Sequence, residues 1–262
     1  MQIGHRQQPR PGPEQPPGGV EHQPFAGEMD GRGGHASGRC PLSAGERLML
    51  DPAGGLFWPE TGLLAVSDLH LEKGTAFARQ GMLLPPWDTR ATLERLTLML
   101  RRWRPRIVVA LGDSFHDAQG AARLPGVERD RLRAMTQTHR FIWVLGNHDP
   151  ALPKCVGGII CNALTVSGIT LRHEPSNTVS AQEIAGHLHP VARLARRGET
   201  VRRKCFATDG RRLVMPAFGA YTGGLNVLDA AFGALFLQRT LEAWMLGRSE
   251  VYAIGARALL PD

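Results

Sequence analysis

Apolar residues in this chain gather in short runs, and the runs keep stopping at polar residues. Leu63–Val66 leads into Asp68 and His70, Ile107–Leu111 into Asp113, and Phe141–Leu145 into Asn147, His148 and Asp149. Runs of this length bounded by turn formers read as buried strands. Leu48–Leu50 and Leu56–Trp58 predict two shorter strands paired across Pro52–Gly55. Trp87–Trp103 has helical spacing instead, with Leu93, Leu96, Leu100 and Trp103 on one face and Asp88 or Thr89 as its cap. Val127–Arg140 predicts a polar, amphipathic helix.

The second half reads differently. Ile159–Val166 and Ile169–Arg172 predict a strand pair turning at Ser167–Gly168, and Cys205–Ala207 and Leu213–Met215 flank Asp209–Gly210, a hairpin signal. Ala234–Leu237, a helix around Leu241–Leu246, and Val251–Ile254 close the chain. Strand–helix–strand order in the first half implies crossover units and parallel pairing. With the hairpins that follow, the expectation is an α/β fold with two mixed sheets.

Composition changes this picture at one end only. Residues 1–40 hold 15 Gly or Pro, and the large apolar side chains there are isolated. Such a stretch cannot bury enough surface to offset its ordering entropy, so 1–40 is expected to be a disordered Gly/Pro-rich segment and 41–262 the folded domain. The 262 residues suffice for one large domain with a proper core. The four cysteines, at 40, 155, 161 and 205, form no C-x-x-C pair and suit a reducing cytoplasm. No run approaches the ~18 apolar residues of a membrane span.

The residues that end the runs form a series. Asp68 and His70 are followed by Asp113, by Asn147 and His148, by His173 in "ITLRH", and by His187 and His189 in "EIAGHLHP". In open α/β sheets ligands bind at the carboxyl ends of strands, so adjacent strands would bring these side chains to one rim. Carboxylate and amide oxygens with imidazole nitrogens, and no thiolate, favour Mn, Fe or Zn over Ca or a Cys-rich structural zinc site. The i, i+2 spacing of Asp68/His70 and His187/His189 puts each pair on one side of an extended segment. Gly112, Gly146 and Gly186 each precede a ligand-type residue and leave room beside it. Each fragment alone is common in ordinary turns; all of them, in order and after apolar runs, are not.

The series D-x-H, G-D, G-N-H-D, H and G-H-x-H resembles the calcineurin-like metallophosphoesterase superfamily, over about residues 45–255. The longer strings "SDLHLEKG", "LGDSFHD", "GNHDP" and "PAFGAYTGGLNV" are similar to the bacterial ligase-associated DNA damage response endonuclease family, often called PdeM. The resemblance implies a four-layer αββα metallophosphoesterase fold, two stacked mixed β-sheets flanked by helices, with two divalent metal ions at one edge. Carried over by motif, Asp68, His70 and His189 would hold one ion and Asn147, His173 and His187 the other. Asp113 would bridge them, His148 would contact the scissile phosphate, and Asp149 would orient His148. Manganese is the expected metal, with iron or zinc as alternatives. The resemblance further implies a cytoplasmic phosphodiesterase, a DNA endonuclease of bacterial DNA repair. DNA would be its substrate, repair proteins such as a ligase or helicase its partners, and no membrane would be involved.

Charge bears on the substrate. The net charge is +7, and residues 191–212 alone carry eight basic residues against Glu199 and Asp209. Arg196, Arg197, Arg202 and Arg203 there are the candidate substrate contacts: a phosphate-tracking patch beside His187 and His189, or a solvated hairpin. Arg101, Arg102, Arg104 and Arg106 end a helix, where cations suit the dipole. His116 and Asp117 follow Asp113 closely and would touch substrate or be loop polar groups. With only two Tyr and nine Phe, no interleaved aromatic platform for single strands is visible. A phosphoesterase for a nucleotide or lipid-linked diphosphate, and a binding module that kept the fold without the chemistry, are the competing readings.

Overall fold

A computed structural model describes residues 38–42, 45–178, 182–196 and 198–262, without the side chains of residues 39, 41 and 196. These residues belong to one unit, His35–Asp262. Residues 1–37 of the Gly/Pro-rich segment lie outside the described residues. The end of that segment does not fit the expectation: Gly38–Pro41 is a strand, β1, and Cys40 is buried, so the sheet begins before residue 41.

Sheet one runs β1, β2 (Arg47–Leu50), β3 (Leu56–Trp58), β4 (Leu63–Val66), β5 (Ile107–Leu111), β6 (Arg140–Val144) and β7 (Ile159–Cys161). The pairs β1–β2, β2–β3 and β3–β4 are antiparallel, whereas β4–β5, β5–β6 and β6–β7 are parallel. Helices make the crossovers. After β4 come α1 (Lys73–Arg79) and α2 (Asp88–Trp103), and after β5 come α3 (Gly120–Arg123) and α4 (Gly126–Thr138). In β4, β5 and β6 every second residue serves a different core. Leu63, Ala65, Val109, Leu111, Ile142 and Val144 face the second sheet, while Leu64, Val66, Val108, Ala110, Phe141 and Trp143 meet Leu93, Leu96, Leu132 and Met135 of the helices. Both faces are covered, which is why these strands are uninterrupted apolar runs.

Sheet two has the path β15 (Val251–Gly255), β14 (Glu242–Leu246), β12 (Glu199–Thr208), β13 (Arg212–Val214), β10 (Glu183–Ala185), β9 (Ile169–Arg172) and β8 (Ala163–Val166). Two more strands leave this path: β11 (Val191–Arg196) pairs with β12 and with β16 (Leu259–Leu260). Here β9, β10 and β13 are parallel and the other pairs antiparallel. Phe206, Leu213, Met215, Ile184 and Leu171 join the inter-sheet core, and the outer face packs Ala207, Val214, Ala243 and Met245 on Phe232 and Phe236 beside α5 (Ala230–Gly233).

Three sequence-based expectations need correction. The apolar run Ile159–Val166 is two strands: it breaks at Asn162, with Ile159–Cys161 parallel to β6 in sheet one and Ala163–Val166 antiparallel to β9 in sheet two. The turn at Ser167–Gly168 is as expected, and both residues have positive φ, the type I′ pattern. The helix expected around Leu241–Leu246 is strand β14. Ala243 and Met245 are buried on one side and Trp244 and Leu246 pack on the other, a period-2 fit that two flanking strands enforce over the helix propensity of this segment. Finally, neither Asp88 nor Thr89 caps α2. Asp88 Oδ2 accepts the Gly74 amide at 3.0 Å and Thr89 Oγ1 the Glu72 amide at 2.8 Å, so both residues fasten α1 to α2.

Candidate metal centre

The carboxyl ends of β4, β5 and β6 in one sheet and of β9 and β10 in the other open onto the same rim. The loops there are stitched to each other. His70 N donates to the Asp113 carbonyl at 2.9 Å, Gly186 N to the His173 carbonyl at 2.9 Å, and His187 N to both Asp68 carboxylate oxygens at 3.2 and 3.1 Å. Five of the eight non-glycine residues with positive φ among the described residues are Asp68, His70, Asp113, His187 and His189. Left-handed backbone at such residues is uncommon and persists where the surroundings over-determine it. The preceding glycines explain part of that crowding. A Cβ on Gly112 would sit against the His173 ring, and one on Gly186 would collide with Ser67 Oγ and the Asp68 carboxylate.

All seven of the predicted metal ligands converge. His70 Nε2 and His189 Nε2 are 3.3 Å apart, and His189 Nε2 is 3.2 Å from Asp68 Oδ1. On the other side Asn147 Oδ1 is 2.9 Å from His173 Nε2 and 3.0 Å from His187 Nδ1. Asp113 stands between the groups, with Oδ2 3.8 Å from His70 Nε2 and Oδ1 3.4 Å from His173 Nε2. The donor atoms of Asp68, His70 and His189, and those of Asp113, His173 and His187, each fall within 4.8 Å of one another.

The hydrogen bonds test whether cations fit here. His173 Nδ1 lies 3.0 Å from the Leu111 carbonyl, so in the neutral ring Nδ1 carries the proton and Nε2 presents a lone pair. That lone pair faces the amide oxygen of Asn147, acceptor against acceptor, an arrangement a divalent ion between them turns from repulsive to favourable. Burial opposes ionisation of Asp68, but the hydrogen bond and charge of His189, the charge of His173 and the hydroxyl of Ser67 outweigh it and hold the carboxyl below its ordinary range. Burial first, and the neighbouring His189, His148 and His116, drive His70 down to about 3 against the pull of Asp68, so its ring is in the neutral, ligating form.

His148 is on the solvent side of the centre. Its Nδ1 is 2.8 Å from the His116 carbonyl and its Nε2 3.9 Å from Asp113 Oδ2, while its amide donates to Asp113 Oδ1 at 2.9 Å. Asp149 does not orient His148. Its fully buried carboxylate accepts the amides of Ser114 at 2.8 Å, Phe115 at 3.1 Å and Gly146 at 3.1 Å, clamping the loop after β5 to the loop after β6. Burial raises its pKa to about 6 against these amide bonds.

The basic segment resolves into unlike parts. Arg212 is buried, 2.6 Å from Glu183, with further bonds to the carbonyls of Ser176, Thr178 and Leu235. Lys204 Nζ donates to the Ala217 and Gly219 carbonyls and to Thr222 Oγ1. Arg202 makes a two-pronged pair with Asp262 at 2.9 and 3.0 Å and reaches the Gly224 carbonyl. Arg203 is exposed on β12, whereas the Arg196 side chain and Arg197 lie outside the described residues. Among the described residues, the candidate substrate contacts are therefore an exposed Arg203 and an Arg202 paired with Asp262. Sequence reasoning missed Ser67, whose hydroxyl donates to Asp68 Oδ2, and helix α1. The glycine-rich 218–227 stretch lies behind the ligand loops: Phe218 N and Gly219 N donate to the Ser67 and Asp68 carbonyls.

The chain is similar to known proteins. The family model for the calcineurin-like phosphoesterase matches residues 62–192, half of the chain. The chain belongs to that family. It is a metal-dependent hydrolase acting on phosphoesters. Among solved structures it is similar to the crystal structure of the Pseudomonas putida nuclease MPE, with 26% identity, a TM-score of 0.64, and coverage of 83% of this chain and 99% of that one. YfcE, a phosphoesterase from E. coli, aligns at 15% identity and a TM-score of 0.40 over 74% of this chain and 98% of its own. No curated protein matches in sequence. No helix among the described residues is long and apolar enough to cross a membrane.

Proposed function

We propose that this phosphoesterase cleaves phosphodiesters in DNA, with Asp68, His70 and His189 holding one divalent ion, Asn147, His173 and His187 a second, and Asp113 both. The observation that carries the reading is the pair of donor groups that meet at Asp113, whose Oδ2 is 3.8 Å from His70 Nε2 and whose Oδ1 is 3.4 Å from His173 Nε2. Manganese is the proposed metal, with iron or zinc as alternatives, and the cytoplasm the proposed location. When bound, two divalent ions supply an acidified water as nucleophile and neutralise the phosphoryl oxygens. Ser67 and the His187 amide keep Asp68 ionised and aimed. The His116 carbonyl fixes the His148 ring through Nδ1 and leaves Nε2 to face the centre. In its protonated form that Nε2–H donates to a phosphoryl oxygen or to the departing one. Asp149 sets the relative position of Asp113 and Asn147 by joining their loops.

Similarity to a nuclease over nearly its whole length supports a polynucleotide substrate, and a role in repair alongside a ligase or helicase extends the same reading. A small-molecule phosphoester is the second reading, and the internal pairing of Arg202, Lys204 and Arg212 favours it, because it thins the phosphate track. Parallel assays with manganese on bis-p-nitrophenyl phosphate, p-nitrophenyl phosphate, and single- and double-stranded DNA separate them. Diester preference with DNA cleavage is expected; diester or monoester hydrolysis with intact DNA selects the second reading.

A further inference from the structure

A row of rings leads away from the metal centre. His148 stacks on His116 with 5.3 Å between centroids and 27° between planes, and His116 meets Phe77 at 5.5 Å and 47°. Phe77 lies on α1, which begins at Lys73, three residues after His70. The Lys73 ammonium is 5.5 Å from the Phe77 ring centroid, and no carboxylate is ion-paired with it among the described residues. Phe77 and His116 are both half-buried. The chain beyond α1 keeps this edge apolar: Met82, whose amide donates to the Phe77 carbonyl at 3.0 Å, is 46% exposed, Leu83 89% and Trp87 65%. Phe77 is absent from the hydrophobic core clusters. A half-buried aromatic ring one histidine away from a phosphate-cleaving centre, with an unpaired cation over it, is the chemistry of a nucleotide subsite: a π-face for the base and a point charge for its phosphate.

We propose that Phe77 is a stacking platform for an unpaired nucleobase next to the scissile phosphate, with Lys73 taking the flanking phosphate. The proposal rests on the nucleic-acid reading above and narrows it. Because every base has a π-face, the platform carries little sequence preference.

The test compares a thymidine oligomer with an abasic oligomer of equal length and charge, using the full chain loaded with Mn2+, with bis-p-nitrophenyl phosphate hydrolysis as a check on the centre. The wild-type chain is expected to cleave the thymidine oligomer with a kcat/KM roughly 10-fold or more above the abasic one. Phe77→Ala removes that difference, whereas Phe77→Trp restores it. Equal cleavage of the two oligomers by the wild type, or discrimination that survives Phe77→Ala, overturns the platform and leaves the nuclease reading standing. Failure to cleave either oligomer while bis-p-nitrophenyl phosphate is hydrolysed overturns both.

Discussion

His173 Nε2 is 2.9 Å from the Asn147 amide oxygen and Nδ1 is 3.0 Å from the Leu111 carbonyl, so the neutral ring that protonates Nδ1 meets Asn147 acceptor to acceptor. Bringing two lone pairs together inside a fold is unfavourable without a cation, so the folded state should bind divalent metal far better than the unfolded chain does. Linkage then makes stability depend on metal. At a free ion concentration about 100 times Kd the gain is about 2.7 kcal/mol per site. In a chain of this size that is worth roughly 5–10 °C in Tm. Differential scanning fluorimetry with excess Mn2+ and with chelator measures it; a Tm indifferent to chelation contradicts the reading of this contact.

His148→Ala should keep the metals and lose turnover. His148 touches Asp113 only through its backbone amide and a 3.9 Å approach of Nε2, and its side chain is 41% exposed. Removing a general acid lowers kcat by about 10²–10⁴-fold. Elemental analysis alongside the assay checks this: metal loss in step with activity would make His148 a ligand instead.

The two kinds of arginine in residues 191–212 should separate cleanly. Arg212→Ala leaves Glu183 buried without its partner, which costs about 3–5 kcal/mol, while kcat per folded molecule stays near wild type. Arg203→Ala should leave stability alone and, if β12 contacts DNA, lower the slope of log affinity against log salt by about 1. Urea unfolding and a salt series of binding isotherms read the two effects; a stable Arg212→Ala chain would show that the Glu183 pair is dispensable.

Lys204 ties stability to alkaline pH. Burial, then repulsion from Arg95 and Lys73, lowers its pKa to about 8 from 10.5, despite the attraction of Asp68. A base depressed in the folded state contributes stability that is present above the unfolded pKa and lost as pH falls through the folded one. Between pH 10.5 and 8 the wild-type chain should therefore lose at most about 3 kcal/mol from this group. Lys204→Met should flatten that part of the curve. Parallel pH dependence of Tm in the two chains would mean the ammonium is not desolvated.

The convergence of these side chains was legible because Asp68, Asp113 and Asn147 follow strands whose two faces are both buried. Such strands announce themselves as uninterrupted apolar runs, and Asp68, Asp113 and Asn147 are where the runs stop. Asp149 was misread for a physical reason: its partners are the backbone amides of Ser114, Phe115 and Gly146, and a backbone amide leaves no mark on the sequence. Arg212 looked like its neighbours in charge, but its burial against Glu183 depends on a parallel pairing, Glu183 opposite Arg212, between strands far apart in the chain. The segment Glu242–Leu246 has helix-forming residues and becomes a strand because β12 and β15 accept it on either side. Helix α1 was invisible because it is short and borrows its stability from the contacts of Asp88 and Thr89.

The central claim is that Asp113 joins two donor groups into one site for two ions, and metal stoichiometry tests it most directly. Elemental analysis of the chain equilibrated with manganese and freed of excess should give two ions per chain, and Asp113→Asn should lower the occupancy of both together. A wild-type chain that retains one ion, or an Asp113→Asn chain that loses only one of two, would contradict it.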